Sequence, residues 1–336
     1  MPPIRRILVA VKELHAKSHP AALKAAQLAR ACGAELHLFH ILASPVYADF
    51  YALGDQSPEG RERDMRQQAL HRLEAIADQF RQHSIKVTVA AEWDYPVYEA
   101  IIRTAVAVKA DLIVASRHAG RHTAPWLLRL TDWELVRQSP IPVLLVKNAH
   151  AYRHPAVLAA VDPTHAFAKP LQLDKEILRM ARVVSEGLRG TLHAVHAYAR
   201  MPIGSVPAEA ATAGVMTPRL FEELERKALR LATASLSREL RATRIASARR
   251  YLIPNDPVAA IVEAARRSRC AIVVMGAVSR SGLTRLLIGN TAERILDELS
   301  CDILVVKPPK FRSRLLGAAR GARVVTSPPL STLGYY

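Results

Sequence analysis

Long apolar runs are missing from this chain of 336 residues. The longest, such as Ile303–Val306 and Leu112–Ala115, fall far short of the about 18 residues that would cross a bilayer. Met1–Arg6 leads straight into a strand-like stretch without an apolar leader, so export through a signal peptide is not expected. Cysteine is nearly absent. Cys32, Cys270 and Cys301 form no C-x-x-C pair, which argues against a disulfide framework and suits a reducing cytoplasm. Aromatic residues are only 5% of the chain, so its cores must be built from Ala, Val, Leu and Ile. Acidic residues are too few to balance the bases, and the formal net charge is +17. The bases are spread along the chain. Only the tail after Pro309, with Lys310, Arg312, Arg314, Arg320 and Arg323, concentrates them.

What is present is a repeat. Asp111–Lys147 aligns without a gap on Ala271–Lys307, pairing Val114 with Val274, Thr131 with Thr291 and Lys147 with Lys307. Ile7–Val11 likewise matches Val157–Val161, and Tyr95–Ile102 matches Asp256–Val262 after a one-residue shift. Two domains are therefore expected, at residues 1–149 and 154–309, followed by a basic, disordered tail over 310–336. Each is expected to bury its own core.

Short β-rich apolar runs alternate with amphipathic stretches in both copies. In the first, strands are predicted at Ile7–Val11, Glu35–Leu42, Val87–Ala91, Leu112–Ala115 and Val143–Val146. Helices are predicted at Pro20–Cys32, with Leu23, Ala26, Leu28 and Ala29 facing inward, at Asp64–His83, at Pro96–Lys109 and around Asp132–Gln138. In the second, strands are predicted at Val157–Val161, Thr191–Ala197, near Ala246–Leu252, Ala271–Met275 and Ile303–Val306. Its helices fall near Leu173–Leu188, Pro218–Leu240, Pro257–Ser268 and Asn290–Leu299. Pro202–Pro218 reads as a loop. The pattern is that of α/β domains, each a five-stranded parallel sheet with helices on both faces. Val143–Val146 and Ile303–Val306 should be edge strands that shield each other about an internal pseudo-two-fold axis. The halves should otherwise keep separate sheets.

The sharpest chemical signal is Gly276–Thr291, GAVSRSGLTRLLIGNT, between a strand and a helix. Glycine there lets backbone N–H groups approach a phosphate, and a helix beginning near Asn290 would aim its positive end at it. Asp162 ends the first strand of the same half and could accept a ribose hydroxyl. In the other half Lys12 stands at the place of Asp162, Ser116 at that of Gly276 and Arg129 at that of Gly289. Its bases, Lys12, Arg117, His118, Arg121, His122 and Arg129, read as solvated surface or as partners for another anion.

The run MGAVSRSGLTRLLIGNTAERILDELSCDILVVKP resembles the C-terminal block of universal stress proteins, and TDW in the first half resembles their tandem E-type subgroup. The resemblance covers roughly residues 4–309 and implies two Rossmann-like domains of the adenine nucleotide alpha hydrolase-like kind. It implies a nucleotide site at Asp162, Gly276, Ser279, Arg280, Gly282, Gly289, Asn290 and Thr291. Ser279 departs from the family's second glycine, and Asn290 from its Ser or Thr. The implied ligand is ATP, with Mg²⁺ accompanying it. The implied role is stress resistance by binding or sensing a ligand, with little or no catalysis. A ligand with an acyl part in the same cleft is an alternative, and a homodimer is left open.

Rival readings are a nucleotide-dependent enzyme of the same fold and a nucleic-acid-binding stress protein. No G-x-S-x-G elbow is present, and no second carboxylate is identified beside Asp162 to hold a metal. His37 and His40, like His193 and His196, are three apart on strands and face opposite sides, so no metal site is expected. Trp126 and Trp133 read as packing residues. Nucleic acid is not the expected partner.

Overall fold

The computed structural model describes residues 4–42, 58–117, 125–163, 172–198, 218–243, 245–277, 290–309, 311, 313 and 315. The strands of the first half are β1 (Arg6–Ala10), β2 (Glu35–Leu42), β3 (Val87–Trp93), β4 (Leu112–Ser116) and β5 (Val143–Val146). Those of the second are β6 (Ala156–Ala160), β7 (Thr191–Ala197), β8 (Arg250–Ile253), β9 (Ile272–Gly276) and β10 (Asp302–Val306). The helices are α1 (Pro20–Cys32), α2 (Pro58–Arg81), α3 (Val97–Ala107), α4 (Pro125–Gln138), α5 (Leu173–Gly187), α6 (Pro218–Glu239), α7 (Pro257–Ser268) and α8 (Asn290–Glu298). Local chemistry fixes several ends. Gly33 stops α1 at a φ of 68°, a left-handed conformation that glycine takes at little cost. Asp256 caps α7 by accepting from the N–H groups of Val258 and Ala259, with Pro257 in the first turn.

The predicted order of strands and helices is present. Three boundaries move by more than two residues. Helix α4 begins at Pro125 rather than near Asp132. Helix α2 begins at Pro58 rather than Asp64. Strand β8 begins at Arg250 because Ser247–Arg249 first form a 3₁₀ turn. The expected loop up to the start of α6, over 202–217, lies outside the described residues.

Strand order is β3-β2-β1-β4-β5-β10-β9-β6-β7-β8. All pairs within each half are parallel, and β5 pairs antiparallel with β10, Leu145 opposite Ile303 and Val143 opposite Val305. The last strands thus meet as expected. The expectation of separate sheets is corrected: once two edge strands share a hydrogen-bonded ladder, the halves form one ten-stranded sheet. Self-contained cores are corrected with it. On one face α1, α2 and α5 cover Val9, Leu38, Val114, Leu144, Val157 and Leu304. On the other, α3, α4, α7 and α8 cover Leu8, Ile113, Leu145, Leu158, Val273 and Ile303. Each apolar layer runs through the seam and draws on both halves.

One helix face is also corrected. Leu23 is 44% exposed, whereas Lys24 is 1% exposed. Lys24 turns inward because its ammonium meets Asp302 Oδ2 of the other half at 2.5 Å and Asn148 Oδ1 at 3.0 Å. The seam carries a second exchange. Lys147, just past β5, donates to the carbonyls of Leu296 and Leu299 at the end of α8. Its repeat-mate Lys307, just past β10, donates to the carbonyl of Arg137 near the end of α4, at 3.1 Å. Each lysine therefore caps a helix of the opposite half, where the negative end of the helix dipole favours a cation. The chain beyond Pro309 is packed at its start: Phe311 lies under Lys307 Nζ at 4.7 Å, and Leu315 rests against the core.

Burial pushes the Lys307 ammonium down to about 7 and that of Lys147 down to about 8. Below about pH 7 the folded and unfolded chains both hold the Lys307 proton, and the cost of burying the charge is fully present. Between there and the ordinary lysine value of 10.5, the unfolded chain binds the proton that the folded one has released, so stability rises with pH. Urea midpoints measured across that window should climb, and Lys307→Met should flatten the climb.

Candidate functional site

Each half winds outward in two directions from its first strand. In the first, the chain moves from β1 to β2 and β3 on one side, then to β4 and β5 on the other. In the second, β6 leads to β7 and β8, then to β9 and β10. Ligand crevices of open α/β sheets form outside the carboxyl ends of the two strands that flank such a reversal. Here these pairs are β1–β4 and β6–β9. Because β5 and β10 are antiparallel, the two crevices open at opposite edges of the sheet.

In the second half, Asp162 follows β6 and Gly276 ends β9, strands that are hydrogen-bonded neighbours. The predicted Asp162 and Gly276 are thus brought to one edge. Their surroundings were not legible in the sequence. Asp162 is 5% exposed, and its backbone N–H donates to both carboxylate oxygens of Asp174 at 3.2 Å. Asp174 lies in the first turn of α5, where the helix dipole favours a carboxylate. Buried His196, from β7, brings Nδ1 to 4.0 Å from Asp162 Oδ1 and 3.3 Å from the Val161 carbonyl. His40 makes the matching contact in the first half, with Nδ1 at 2.8 Å from the Val11 carbonyl. A Cβ on residue 276 would stand 2.5 Å from Leu173 Cδ2. Leu173, fully buried at the start of α5, therefore occupies the space directly over the glycine. Asn290 and Thr291 open α8, as expected of the loop's end, but their side chains lie outside the described residues. Ser279, Arg280, Gly282 and Gly289 also lie outside them.

The first half presents an open cleft of about 230 Å³, lined by Lys12, Ser18, His19, Ser116, Arg117 and Asn148 among others. It also meets the start of α1, where His19 supplies no side-chain cap to the first N–H groups. Burial lowers the Lys12 ammonium, with Asp132 and Glu13 opposing that shift. Burial raises the Asp132 carboxyl to about 7 against the pull of Lys12 and Arg117. Arg117 Nη2 binds Asp297 of α8, while its buried Nη1 has no acceptor among the described residues. Lys147, Asn148, Asp132 and Asp297 were missed as neighbours of this cleft. Only the seam brings Asp297 here, and no local spacing encodes it. His118, Arg121 and His122, and the side chain of Arg129, lie outside the described residues.

These two switch points in one sheet define the class: a tandem, doubly wound α/β protein with one switch point per repeat. The chain belongs to the Universal stress protein family, which matches residues 3–147 and 157–307, in the two-domain E-type arrangement. It is similar to Universal stress protein E of Salmonella typhi, 28% identical over 74% of this chain and 75% of that protein. It is 26% identical to Universal stress protein E of Escherichia coli K12 over 88% of this chain and 91% of that one. Among solved structures, a functionally unknown protein from Pseudomonas aeruginosa PAO1 superposes with a TM-score of 0.65 at 25% identity, covering 91% of this chain and 93% of that one. A universal stress protein from Archaeoglobus fulgidus DSM 4304 shares the fold, with a TM-score of 0.55 at 16% identity, over 89% of this chain and 98% of that one. Among the described residues no helix is long and apolar enough to cross a membrane.

Proposed function

We propose that this protein serves stress resistance in the cytoplasm as a ligand-binding module with little or no catalysis, and that its second half takes ATP together with Mg²⁺. The observation that supports this reading is the placement of Asp162 and Gly276 at adjacent carboxyl ends across a switch point. Leu173 fills the floor over Gly276, so the ligand would sit beyond Leu173, against the Gly276–Thr291 segment, with Asp162 at the ribose. Calorimetric titration of the full chain with ATP and Mg²⁺ tests it. Loss of a hydrogen bond to a charged acceptor costs about 1.5–3 kcal/mol, so Asp162→Ala should weaken ATP by about ten- to a hundredfold. Unchanged affinity in that variant, or no heat with the wild type, would overturn the proposal.

A second reading concerns the first half. The cleft, with Lys12 in place of an acid and Arg117 Nη1 without an acceptor among the described residues, favours a small phosphate or carboxylate over a nucleoside. Titration with inorganic phosphate in the same experiment separates the two: Arg117→Gln should abolish phosphate binding and leave ATP untouched.

A further inference from the structure

Cys270 follows α7 and leads into β9. Cys301 follows α8 and leads into β10. The two strands are parallel neighbours, with the Ala271 carbonyl accepting from the N–H of Asp302, so both thiols arrive at the amino ends of adjacent strands. Their sulfurs are 3.9 Å apart, and each residue is 8% exposed within the apolar layer of α7 and α8. They stand on the sheet edge opposite Asp162 and Gly276, apart from the crevice proposed for ATP. The Lys147 ammonium is held at the carbonyls of Leu296 and Leu299, just before Cys301 in the chain. Cys32, the third thiol, packs elsewhere, between α1 and α5 near Gly187.

We propose that Cys270 and Cys301 form a dithiol that hydrogen peroxide closes to an intramolecular disulfide. A disulfide needs its sulfurs about 2.05 Å apart. The remaining gap of about 2 Å is within reach of side-chain rotation and a small shift of two strand ends. The contact between the two sulfurs and the nearby Lys147 ammonium pull the Cys301 thiol down against burial and Asp302, while the same contact and burial push the Cys270 thiol up. Cys301, two residues past the Leu299 carbonyl that holds the Lys147 ammonium, is the attacking sulfur. Its thiolate forms an S–O bond as the peroxide O–O bond breaks, and the departing hydroxide takes up a proton to leave as water. Cys270 then attacks the sulfenic sulfur. The S–S bond forms, the S–O bond breaks, and the Cys270 proton leaves with the hydroxyl as a second water. Two thiols are oxidised and one peroxide is reduced to two waters. Thiol exchange with a reduced dithiol reopens the bridge.

The test uses the reduced full-length chain. It is treated with equimolar hydrogen peroxide, quenched with catalase, denatured and alkylated, then digested for mass spectrometry. The expected result is loss of two of the three free thiols, a peptide joining Cys270 to Cys301, and a chain that stays single on a non-reducing gel. Cys32→Ser should leave the bridge intact. Cys270→Ser should stop at a sulfenic acid on Cys301 that dimedone traps. Should Cys270 and Cys301 remain fully alkylated while Cys32 oxidises, or should the link form between two chains, the assignment is wrong. The wild-type and Cys32→Ser measurements decide the matter even if Cys270→Ser fails to fold.

Discussion

Asp302→Ala should cost about 3–5 kcal/mol of folding stability, the range for removing one partner of a buried ion pair. Asp302 is fully buried at the first position of β10. Its carboxylate accepts from Lys24 Nζ at 2.5 Å, Tyr152 Oη at 2.6 Å and the Lys147 N–H at 2.8 Å. Without it, Lys24, whose side chain is 2% exposed, is left in the core with Asn148 and the Tyr152 ring beside it. Lys24→Met should cost less, because Asp302 retains two donors. Lys24→Met with Asp302→Leu should recover part of the loss, since an apolar pair avoids stranding a charge but leaves the Tyr152 hydroxyl and the Lys147 N–H without their acceptor. Urea unfolding followed by circular dichroism checks all three. A penalty for Asp302→Ala below about 1 kcal/mol would mean that water reaches the pair, as at an exposed ion pair. The unfolding should be one transition, because helix α1 of the first half and strand β10 of the second share this knot and both apolar layers cross the seam.

The strands were legible because they are short aliphatic runs of a kind that a two-faced parallel sheet requires. Ile7–Val11, Leu112–Ala115 and Ile303–Val306 all coincide with observed strands to within a residue or two. The meeting of β5 and β10 was legible as an edge needing cover. Its consequence for the core was not, because separate cores were assumed for the two copies. Lys24 shows why. In PAALKAAQL a charged residue reads as the solvent side of the helix, and only a carboxylate 278 positions away reverses that. Lys147 and Lys307 stood out as an identity in the repeat, yet their exchange of helix caps depends on the antiparallel seam and has no local signature. At the second crevice Asp162 and Gly276 could be placed from strand ends alone. Asp174, His196 and Leu173 could not, since they come from other elements and meet the site through packing.

The seam also explains how the halves could diverge. Antiparallel pairing puts the crevices at opposite edges, so a ligand in one makes no direct demand on the other. Lys12 and Arg117 line the first crevice, whereas Asp162 and Asp174 stand at the second, so the two differ in chemistry. Helix α8 touches both, since its Asp297 meets Arg117 of the first crevice and its first residues close the sequence run of the second.

Gly276 separates a packing role from a ligand role, and a double-mutant cycle with Leu173 reads the difference. Gly276→Val places a branched side chain where Leu173 Cδ2 would be 2.5 Å from its Cβ, an overpacking expected to cost about 1–3 kcal/mol. Leu173→Ala, at a fully buried site, should cost about 2–5 kcal/mol through lost burial and the cavity left behind. If the glycine serves packing, the new valine fills the space that leucine vacates. The double variant should then be more stable than the sum of the two losses by about 0.5–3 kcal/mol. ATP titration on the same proteins gives the second reading. If the phosphate reaches the Gly276 backbone itself rather than resting beyond Leu173, valine blocks it whatever residue 173 is, and binding should remain lost in the double variant while stability returns. Recovery of both together would make Gly276 a packing residue alone and remove it from the proposed nucleotide contacts.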